Sequence, residues 1–331
     1  MLTCSFIDLP KLTAKSSSLS NPSLFQNVTS VNGDLNADCK YLLAKHHQFD
    51  LFPLTLSKTA DIHSGRYFTS ITIEATVSEY PETLADLPFL QHITIASDSC
   101  KNGTEFIIQN MKRLRSISVG RNCFTQCTAR FILTDLPLLK SLKIGSNSFV
   151  YVRQVTMMNL SSLSQIKIGT ACLQGIPQNS VVVEATLSNF PRLTKLKFGD
   201  SSFKYFSTPK LQSFPSLVQL SFGQNCFGGK PSHPMFVVSD FPSLENVKFG
   251  KGSFGNYGGC SIQSLPVLQT VTFEKSTFAA LNEEDDEDEL CHSLVIRSCS
   301  MLQSLKLHAT CFPNACNFVL EGIIIIIVLC W

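Results

Sequence analysis

The chain has 331 residues, which is long enough for a large buried core. Its content of 44% hydrophobic and 16% charged residues excludes a wholly disordered protein. The net charge of +2 selects no charged partner by itself. The 25 phenylalanines against one tryptophan are typical of a folded, β-rich chain.

The N-terminal part, residues 1–66, differs most from the rest of the chain. Residues 15–36 are rich in Ser, Asn and Thr, which predicts loop or coil. Residues 52–54 (F-P-L) look like a fragment of the motif that recurs further on. The opening residues lack the basic region and the long apolar run of a secretory signal. We therefore expect a degenerate or irregular segment without a signal.

One apolar pattern then recurs along the chain. Residues 139–149 show it most clearly and read L-x-x-L-x-I-x-x-N-x-F. Positions 4 and 6 of this copy, Leu142 and Ile144, are two residues apart and therefore lie on one face of a short strand. The nine copies begin at Leu90, Leu114, Leu139, Leu163, Leu193, Leu217, Leu244, Leu268 and Leu302. A spacing that returns to 24 residues, with longer gaps between some copies, is typical of a solenoid with insertions.

Each repeat also contains a second pair of apolar residues. Counted back from the residue before a proline, the two stand at positions −5 and −3. Phe131 and Leu133 form one such pair, and Cys260 and Ile262 form another. The spacing of two predicts a second strand on the opposite wall of each coil, which the proline ends because it cannot donate to a ladder. No ten-residue helical stripe lies between copies. We therefore predict two parallel sheets around a core of Leu, Ile and Phe, with strands and turns instead of long helices on the convex side.

The pattern L-x-x-L-x-L-x-x-N-x-L is the core of the leucine-rich repeat, and residues 84–312 resemble that family. Asn stands at the ninth position only in Asn122, Asn147 and Asn225, and the last apolar position is usually Phe. The chain thus resembles an atypical, Phe-rich member in which an internal Asn ladder is broken. The resemblance implies a mostly β solenoid of about nine coils that binds a protein through its concave sheet.

We divide the chain into three segments. An irregular segment covers residues 1–66, a solenoid with an acidic insertion at 281–290 covers 67–317, and an apolar tail covers 318–331. The seven consecutive acids at 283–289 predict a solvated loop. The five isoleucines at 323–327 are too few for a membrane-spanning helix, which needs about 20 apolar residues. A final strand or truncated end is expected there, with the stub of a membrane anchor as the alternative.

The 13 cysteines include five that we assign to one repeat position, where the other four copies carry Ser or Thr. Those five are Cys100, Cys123, Cys172, Cys226 and Cys311. Interchange with Ser and Thr indicates a demand for a small side chain, not a disulfide or a metal. We expect reduced thiols and a cytoplasmic protein. Glycosylation sequons at Asn27, Asn102 and Asn159 favour the alternative of the cell surface.

No motif assigns a reaction, so we expect no enzyme, no catalytic or metal-binding residue and no cofactor. The pattern G-x-G-x-x-G at 250–255 would bind a dinucleotide only between a strand and a helix. Gly250 and Phe254 belong to the repeat instead. The seven histidines show no metal-ligand spacing.

The exposed face of the first strand carries the candidate binding residues. Position 5 of the repeat points away from the buried leucines and is Lys in five of nine copies. We expect these five lysines to share one sheet. With a neighbour at position 3, the candidate partner-binding residues are Lys143, Lys167, Lys195, Lys197, Lys248 and Lys306. The alternative is that these charges only keep the exposed sheet soluble and unpaired. Glycine at position 7 in six copies predicts a strand-end turn with positive φ.

These features together predict a non-enzymatic scaffold for protein–protein interaction, whose partner has an acidic surface. The alternatives are a membrane-tethered surface or adhesion protein and a substrate adaptor of an enzyme complex. Nucleic acid is not an expected partner, because the exposed strand positions lack aromatic residues and the charge is near balance. A membrane partner is not expected either, although the apolar tail leaves that question open.

Overall fold

The computed structural model shows short strands joined by turns, without a helix in the part of the chain that it describes. That part comprises residues 12–13, 31–32, 53–56, 69–79, 90–177, 184–228, 235–279, 292–308, 310–313, 315–323 and 326–330. Side chains are described within it except at 12–13, 31–32, 53–56, 208, 316 and 326–330. The acidic run at 283–289 and the sequon at Asn27 lie outside the described residues.

The described residues form 23 strands. They are β1 (Leu12–Thr13), β2 (Val31–Asn32), β3 (Pro53–Leu56), β4 (Ser70–Ile73), β5 (His92–Ile95), β6 (Phe106–Gln109), β7 (Ser116–Val119), β8 (Arg130–Thr134), β9 (Ser141–Ile144), β10 (Gln154–Met158), β11 (Gln165–Ile168), β12 (Glu184–Ser188), β13 (Lys195–Lys197), β14 (Thr208–Gln212), β15 (Gln219–Phe222), β16 (Met235–Val238), β17 (Asn246–Phe249), β18 (Gly259–Gln263), β19 (Thr270–Phe273), β20 (His292–Arg297), β21 (Ser304–His308), β22 (Ala315–Glu321) and β23 (Ile326–Cys330).

From β5 onward the strands alternate between two walls of a solenoid. The front wall consists of two six-stranded sheets, β3-β4-β5-β7-β9-β11 and β13-β15-β17-β19-β21-β23. The back wall consists of the five-stranded sheet β6-β8-β10-β12-β14 and the four-stranded sheet β16-β18-β20-β22. Neighbouring strands within each sheet are parallel, as in β9–β11 and β8–β10. The predicted architecture of parallel strands and turns is therefore confirmed.

A single core runs between the walls from Ile71 to Phe312. Leu142 and Leu196, from repeats on either side of the chain's middle, are both 1% exposed within it. The back-wall pair Phe131 and Leu133 is fully buried and faces the front wall's apolar residues. Alternation of buried and exposed residues along each strand thus produces the two walls, as the spacing of two predicts.

The front wall extends beyond the nine repeats recognised in the sequence. Strand β3, which includes part of the F-P-L fragment at 52–54, pairs with β4, and β4 pairs with β5. At the other end, β23 contains the last isoleucines of the apolar tail and pairs with β21. Residues 326–330 of the tail therefore form a strand of the solenoid.

Phenylalanine rings stack from coil to coil through the core. At position 11, Phe203, Phe227, Phe254, Phe278 and Phe312 form a ladder with ring centroids 5.0–5.4 Å apart. At position 6, Phe198, Phe222, Phe249 and Phe273 form a second ladder with spacings of 4.8–5.4 Å. Stacked and edge-on rings at these separations attract each other beyond the burial of their area. The ladders explain the abundance of phenylalanine.

The glycines at position 7 have a different role from the predicted one. Those six residues are Gly120, Gly145, Gly169, Gly199, Gly223 and Gly250. The glycines with positive φ in the described residues are Gly175, Gly252, Gly259 and Gly322, so the prediction of positive φ at position 7 was wrong. A Cβ on Gly145 would lie 2.3 Å from the carbonyl oxygen of Gly120. Glycine is required there because successive coils approach too closely for a side chain.

The small residues at position 10 join each coil to the preceding one. Ser148 Oγ donates to the carbonyl of Gly120 at 3.0 Å and accepts from the backbone N–H of Cys123 at 3.1 Å. Cys172 Sγ donates to the carbonyl of Gly145 at 2.8 Å. The row consists of Ser99, Cys123, Ser148, Cys172, Ser202, Cys226, Ser253, Thr277 and Cys311. Ser, Thr and Cys interchange here because each is small and carries one donor.

The sequence assignment of Cys100 to this row was wrong by one residue. Ser99 occupies the row, and Cys100 takes position 11 with a φ of 51°, as Phe124 does with 54°. The eight cysteines whose side chains are described are free thiols, which confirms the expectation of unpaired cysteines for Cys100, Cys123, Cys172, Cys226 and Cys311. Burial raises the pKa of Cys226 to about 12 and that of Cys172 to about 11, so both thiols stay protonated near neutral pH.

Replacing Ser148 by Ala should lower the free energy of unfolding by about 1–3 kcal/mol, because the buried N–H of Cys123 and the partly buried carbonyl of Gly120 both lose their partner. Ser148→Cys keeps a side-chain donor, the thiol that the cysteines of the row use, and should lower the free energy of unfolding less than Ala does. Urea unfolding followed by circular dichroism would measure both variants. Equal losses for Ala and Cys would contradict the role of the row as a hydrogen-bond donor.

Candidate functional site

The front wall is interrupted between β11 and β13. Strand β11 pairs with β9 and strand β13 pairs with β15, but the two facing strands do not pair with each other. The expectation that the lysines share one sheet was therefore wrong. Lys143 and Lys167 lie in the first front sheet, whereas the second front sheet carries Lys195, Lys197, Lys248 and Lys306.

The strands β11 and β13 are close at their carboxyl ends. Ala171 N donates to the carbonyl of Asp200 at 2.7 Å, and a Cβ on Gly199 would lie 2.2 Å from the carbonyl oxygen of Gly169. At the amino ends of β9 and β11, which do pair, Gln165 N donates to the carbonyl of Lys140 at 3.1 Å. No bond of that kind joins the described residues Ser164 and Lys195. The strands therefore diverge from the glycine end towards the leucine end.

A cavity of about 500 Å³, which we call the seam cleft, occupies this opening. Its lining consists of Ser141, Leu142, Lys143, Ser164, Gln165, Ile166, Lys167, Thr194 and Lys195. Three of the six candidate lysines thus meet at one cavity, and the lining contains no acidic residue. Ile166 is only half-buried, whereas its counterpart Leu142 in the preceding coil is 1% exposed. The cleft therefore combines a positive rim with an apolar floor.

The seam cleft also contains backbone groups of β11 that no described strand pairs. In a parallel ladder, successive residues bond alternately to the strands on either side. Gln165 bonds to the preceding coil through Lys140, so the N–H and C=O of Ile166 point to the following coil. Because β13 does not pair with β11, the ladder supplies no partner for these two groups.

The coils that meet at this interruption differ in their core residues. Position 6 changes from Ile168 to Phe198, and position 11 is Leu173 where most copies carry Phe. Leu173 also interrupts the position-11 ladder, which stacks Phe124 on Phe149 before it and resumes at Phe203 after it. A phenyl ring needs more room between the walls than a butyl side chain. The interruption in the front wall coincides with this increase in side-chain size.

The remaining lysines of the candidate site lie apart from the cleft. Lys248 Nζ is 2.7 Å from Glu274 Oε1, and Glu274 Oε2 is 3.8 Å from His308 Nε2. The hydrogen bond from Lys248, together with the charges of Lys248 and His308, lowers the pKa of Glu274 against the opposing effect of burial. Lys306 has no ion pair with a described residue.

The sequence analysis missed the contribution of Glu274 and His308. Both stand at position 7, where six copies carry Gly, and this departure from the repeat was a usable signal. Since Glu274 balances Lys248, the uncompensated candidate lysines of the front wall are Lys306 and those at or next to the seam cleft. Lys143, Lys167 and Lys195 line the cleft and Lys197 lies beside it on β13; all four are exposed and have no ion pair with any described acid.

A ladder of polar side chains on the back wall bears on the sequons. Asn159 Nδ2 donates to Asp135 Oδ1 at 2.8 Å, and Asn189 Nδ2 donates to Asn159 Oδ1 at 2.9 Å. A glycan on Asn159 would replace one of the two hydrogens of the Nδ2 atom that donates to Asp135. Asn102 Nδ2 donates to Glu79 Oε1 at 3.0 Å and is also engaged. The front-wall ladder runs from Asp98 through Asn122 to Asn147 and ends where Ala171 replaces Asn, as the sequence predicts.

Metal binding and membrane insertion are two further possibilities for the described residues. No group of three or more His, Cys, Asp and Glu side chains there could hold a metal ion. The described residues form no helix that is long and apolar enough to cross a membrane. Gly250 of the G-x-G-x-x-G pattern lies at the end of β17 against Gly223, and Phe254 belongs to the ring ladder.

Comparison with known proteins finds no relative: no family model, no curated protein and no solved structure matches this chain.

Proposed function

We propose that this protein is a non-enzymatic scaffold of the leucine-rich-repeat type that binds an acidic partner protein through the exposed face of its front wall. The observation that carries the proposal is the cluster Lys143, Lys167, Lys195 and Lys197 on three adjacent front strands. Lys143 and Lys167 are directly opposite in the register of β9 and β11. Like charges so placed repel each other, and carboxylates of a partner would relieve the repulsion.

The proposed location is the cytoplasm. The eight cysteines whose side chains are described are free, and a reducing compartment keeps thiols in that state. The competing function of a surface or adhesion protein rests on the sequons, and two of them, Asn102 and Asn159, already use their amides in hydrogen bonds. We therefore favour an intracellular scaffold.

Proximity labelling in cells, followed by binding measurements with the purified candidates, tests the proposal. Affinity for the partner should fall as salt rises from about 50 to about 300 mM, because exposed charges are screened. The double variant Lys143→Glu/Lys197→Glu should weaken binding by at least about tenfold, as two attractive charges become repulsive. Lys112→Glu/Lys210→Glu makes the same change of charge elsewhere on the solenoid and should leave the affinity nearly unchanged. Binding that ignores both salt and the front-wall variant would refute the electrostatic scaffold and leave the lysines as solubilising residues.

A further inference from the structure

The seam cleft offers an anionic group a setting that the rest of the front wall lacks. Lys143, Lys167 and Lys195 line one cavity from three strands, and no carboxylate among the described residues compensates them. Elsewhere on this wall the charge of Lys248 is balanced by Glu274 at 2.7 Å. A carboxylate in the cleft would accept charge-assisted hydrogen bonds from ammonium groups that have no other ionic partner.

The floor of the cleft favours a peptide over a simple anion. Ile166 is half-buried and Leu142 also lines the cavity, so apolar surface lies directly beneath the lysines. Small-ligand and peptide sites commonly pair such an apolar floor with a few polar groups that set orientation. An apolar side chain next to an acidic one in the ligand would cover Ile166 while its neighbour reaches the lysines.

The edge of β11 supplies the third element. The N–H and C=O of Ile166 point towards β13 without a ladder partner, as backbone groups do at the edge of a sheet. A ligand with its own backbone N–H and C=O can satisfy both groups, as extended peptides do at exposed sheet edges. Inorganic phosphate and lipid headgroups lack the paired backbone N–H and C=O of an extended chain, so they do not reproduce the hydrogen-bond pattern of a strand.

Nucleic acid fits the same cleft less well. Its lining contains no aromatic side chain on which a base could stack, and stacking supplies much of single-strand binding. The net charge of the whole chain is only +2, which provides little long-range attraction for a polyanion.

We propose that the seam cleft is the specificity site of the scaffold and binds an extended acidic peptide in which Asp or Glu alternates with apolar residues. One carboxylate lies among Lys143, Lys167 and Lys195, an apolar neighbour covers Ile166, and the peptide backbone bonds to Ile166. This inference rests on the proposed function, and it adds the location and the chemical class of the recognised segment.

The test uses the full chain and a fluorescein-labelled decapeptide of alternating Glu and Val, measured by fluorescence anisotropy. Decapeptides of alternating Gln and Val, of alternating Lys and Val, and of Glu alone serve as comparisons, together with oligothymidine. The Glu-Val peptide should bind at least about tenfold more tightly than each comparison probe, because only it offers carboxylates, apolar groups and a backbone together. Tighter binding of poly-Glu or of oligothymidine would overturn the proposal.

Matched variants locate the binding. Lys167→Gln/Lys195→Gln should lower the affinity for the Glu-Val peptide by at least about tenfold. Lys248→Gln/Lys306→Gln removes the same charge from the same wall and should change that affinity little. Ser164→Trp fills the cleft without changing charge, and Gln303→Trp makes the corresponding change at the same repeat position in an intact pair of strands. Only the former should abolish binding. Circular dichroism checks that each variant is folded.

The outcomes separate this inference from the proposed function. If the two double lysine variants lower the affinity for the peptide equally, or if Ser164→Trp leaves it unchanged, the cleft is not the peptide site. That conclusion holds even if the front wall still binds a protein partner. If the cellular partner ignores Lys143→Glu/Lys197→Glu while the peptide binds in the cleft, the scaffold proposal fails and the peptide site stands.

Discussion

Replacing Phe254 by Ala should lower the free energy of unfolding by about 3–5 kcal/mol, the usual range for a buried phenylalanine. Its side chain is fully buried and stacks on Phe227 and Phe278, with ring centroids 5.4 and 5.2 Å away. Phe236 lies still closer, at 4.6 Å. Because these neighbours are rigid rings held by their own ladders, they cannot collapse into the cavity, so the cost should lie in the upper part of the range.

Urea unfolding followed by circular dichroism would measure this loss, with Phe318→Ala as the control. Phe318 is 46% exposed, and its truncation should change the unfolding free energy by less than about 0.5 kcal/mol. Similar losses at the two positions would show that the ring ladder does not stabilise the solenoid.

Gly145→Ala should cost about 3 kcal/mol or more, because the added methyl group overpacks two backbones. The new Cβ would lie 2.3 Å from the carbonyl oxygen of Gly120 and 2.7 Å from the backbone nitrogen of Arg121. Neither atom can rotate away as a side chain would, so the coils must separate. The damage should spread into the hydrogen bond of Ser148 to Gly120, which spans the same two coils.

The matched control is Gly228→Ala. A Cβ there meets only the carbonyl oxygen of Lys204 at 3.4 Å. The substitution should be neutral or should stabilise by up to about 1 kcal/mol, because alanine restricts the unfolded chain. Thermal unfolding of both variants against the parent would decide the matter. A Gly145→Ala variant as stable as Gly228→Ala would refute close approach as the reason for the glycine column.

Within each front sheet, the glycine column, the position-10 row and the ring ladders hold neighbouring strands at fixed separations. The hydrogen bond from Ser202 Oγ to the carbonyl of Gly169 continues the position-10 row across the interruption. The lysines of the seam cleft are therefore displayed on a framework that many inter-coil contacts stabilise. Such preorganisation reduces the entropy that a binding surface loses when it takes up a partner. It also explains why the front wall can carry several like charges on neighbouring strands without losing its structure.

Local periodicity was enough to predict the two walls. Alternation in pairs such as Phe131 and Leu133 determines which face of each strand is buried, and the spacing near 24 residues stacks one copy on the next. The interruption of the Asn ladder at Ala171 also follows from a single residue type. These features depend on a few neighbouring residues, so they can be recognised without coordinates.

The glycine column and the seam cleft depended on contacts between coils, which no single repeat contains. The distance from Gly145 to Gly120 and the failure of β11 to pair with β13 arise only when whole coils are stacked. The sequence held partial signals, because Leu173 replaces Phe and Ile168 gives way to Phe198 at that point. It also determined where the lysines stand along each strand. Only the tertiary structure decided that Glu274 neutralises Lys248 and that Lys143, Lys167 and Lys195 surround one cavity, because charge compensation and cavities depend on the distances between side chains.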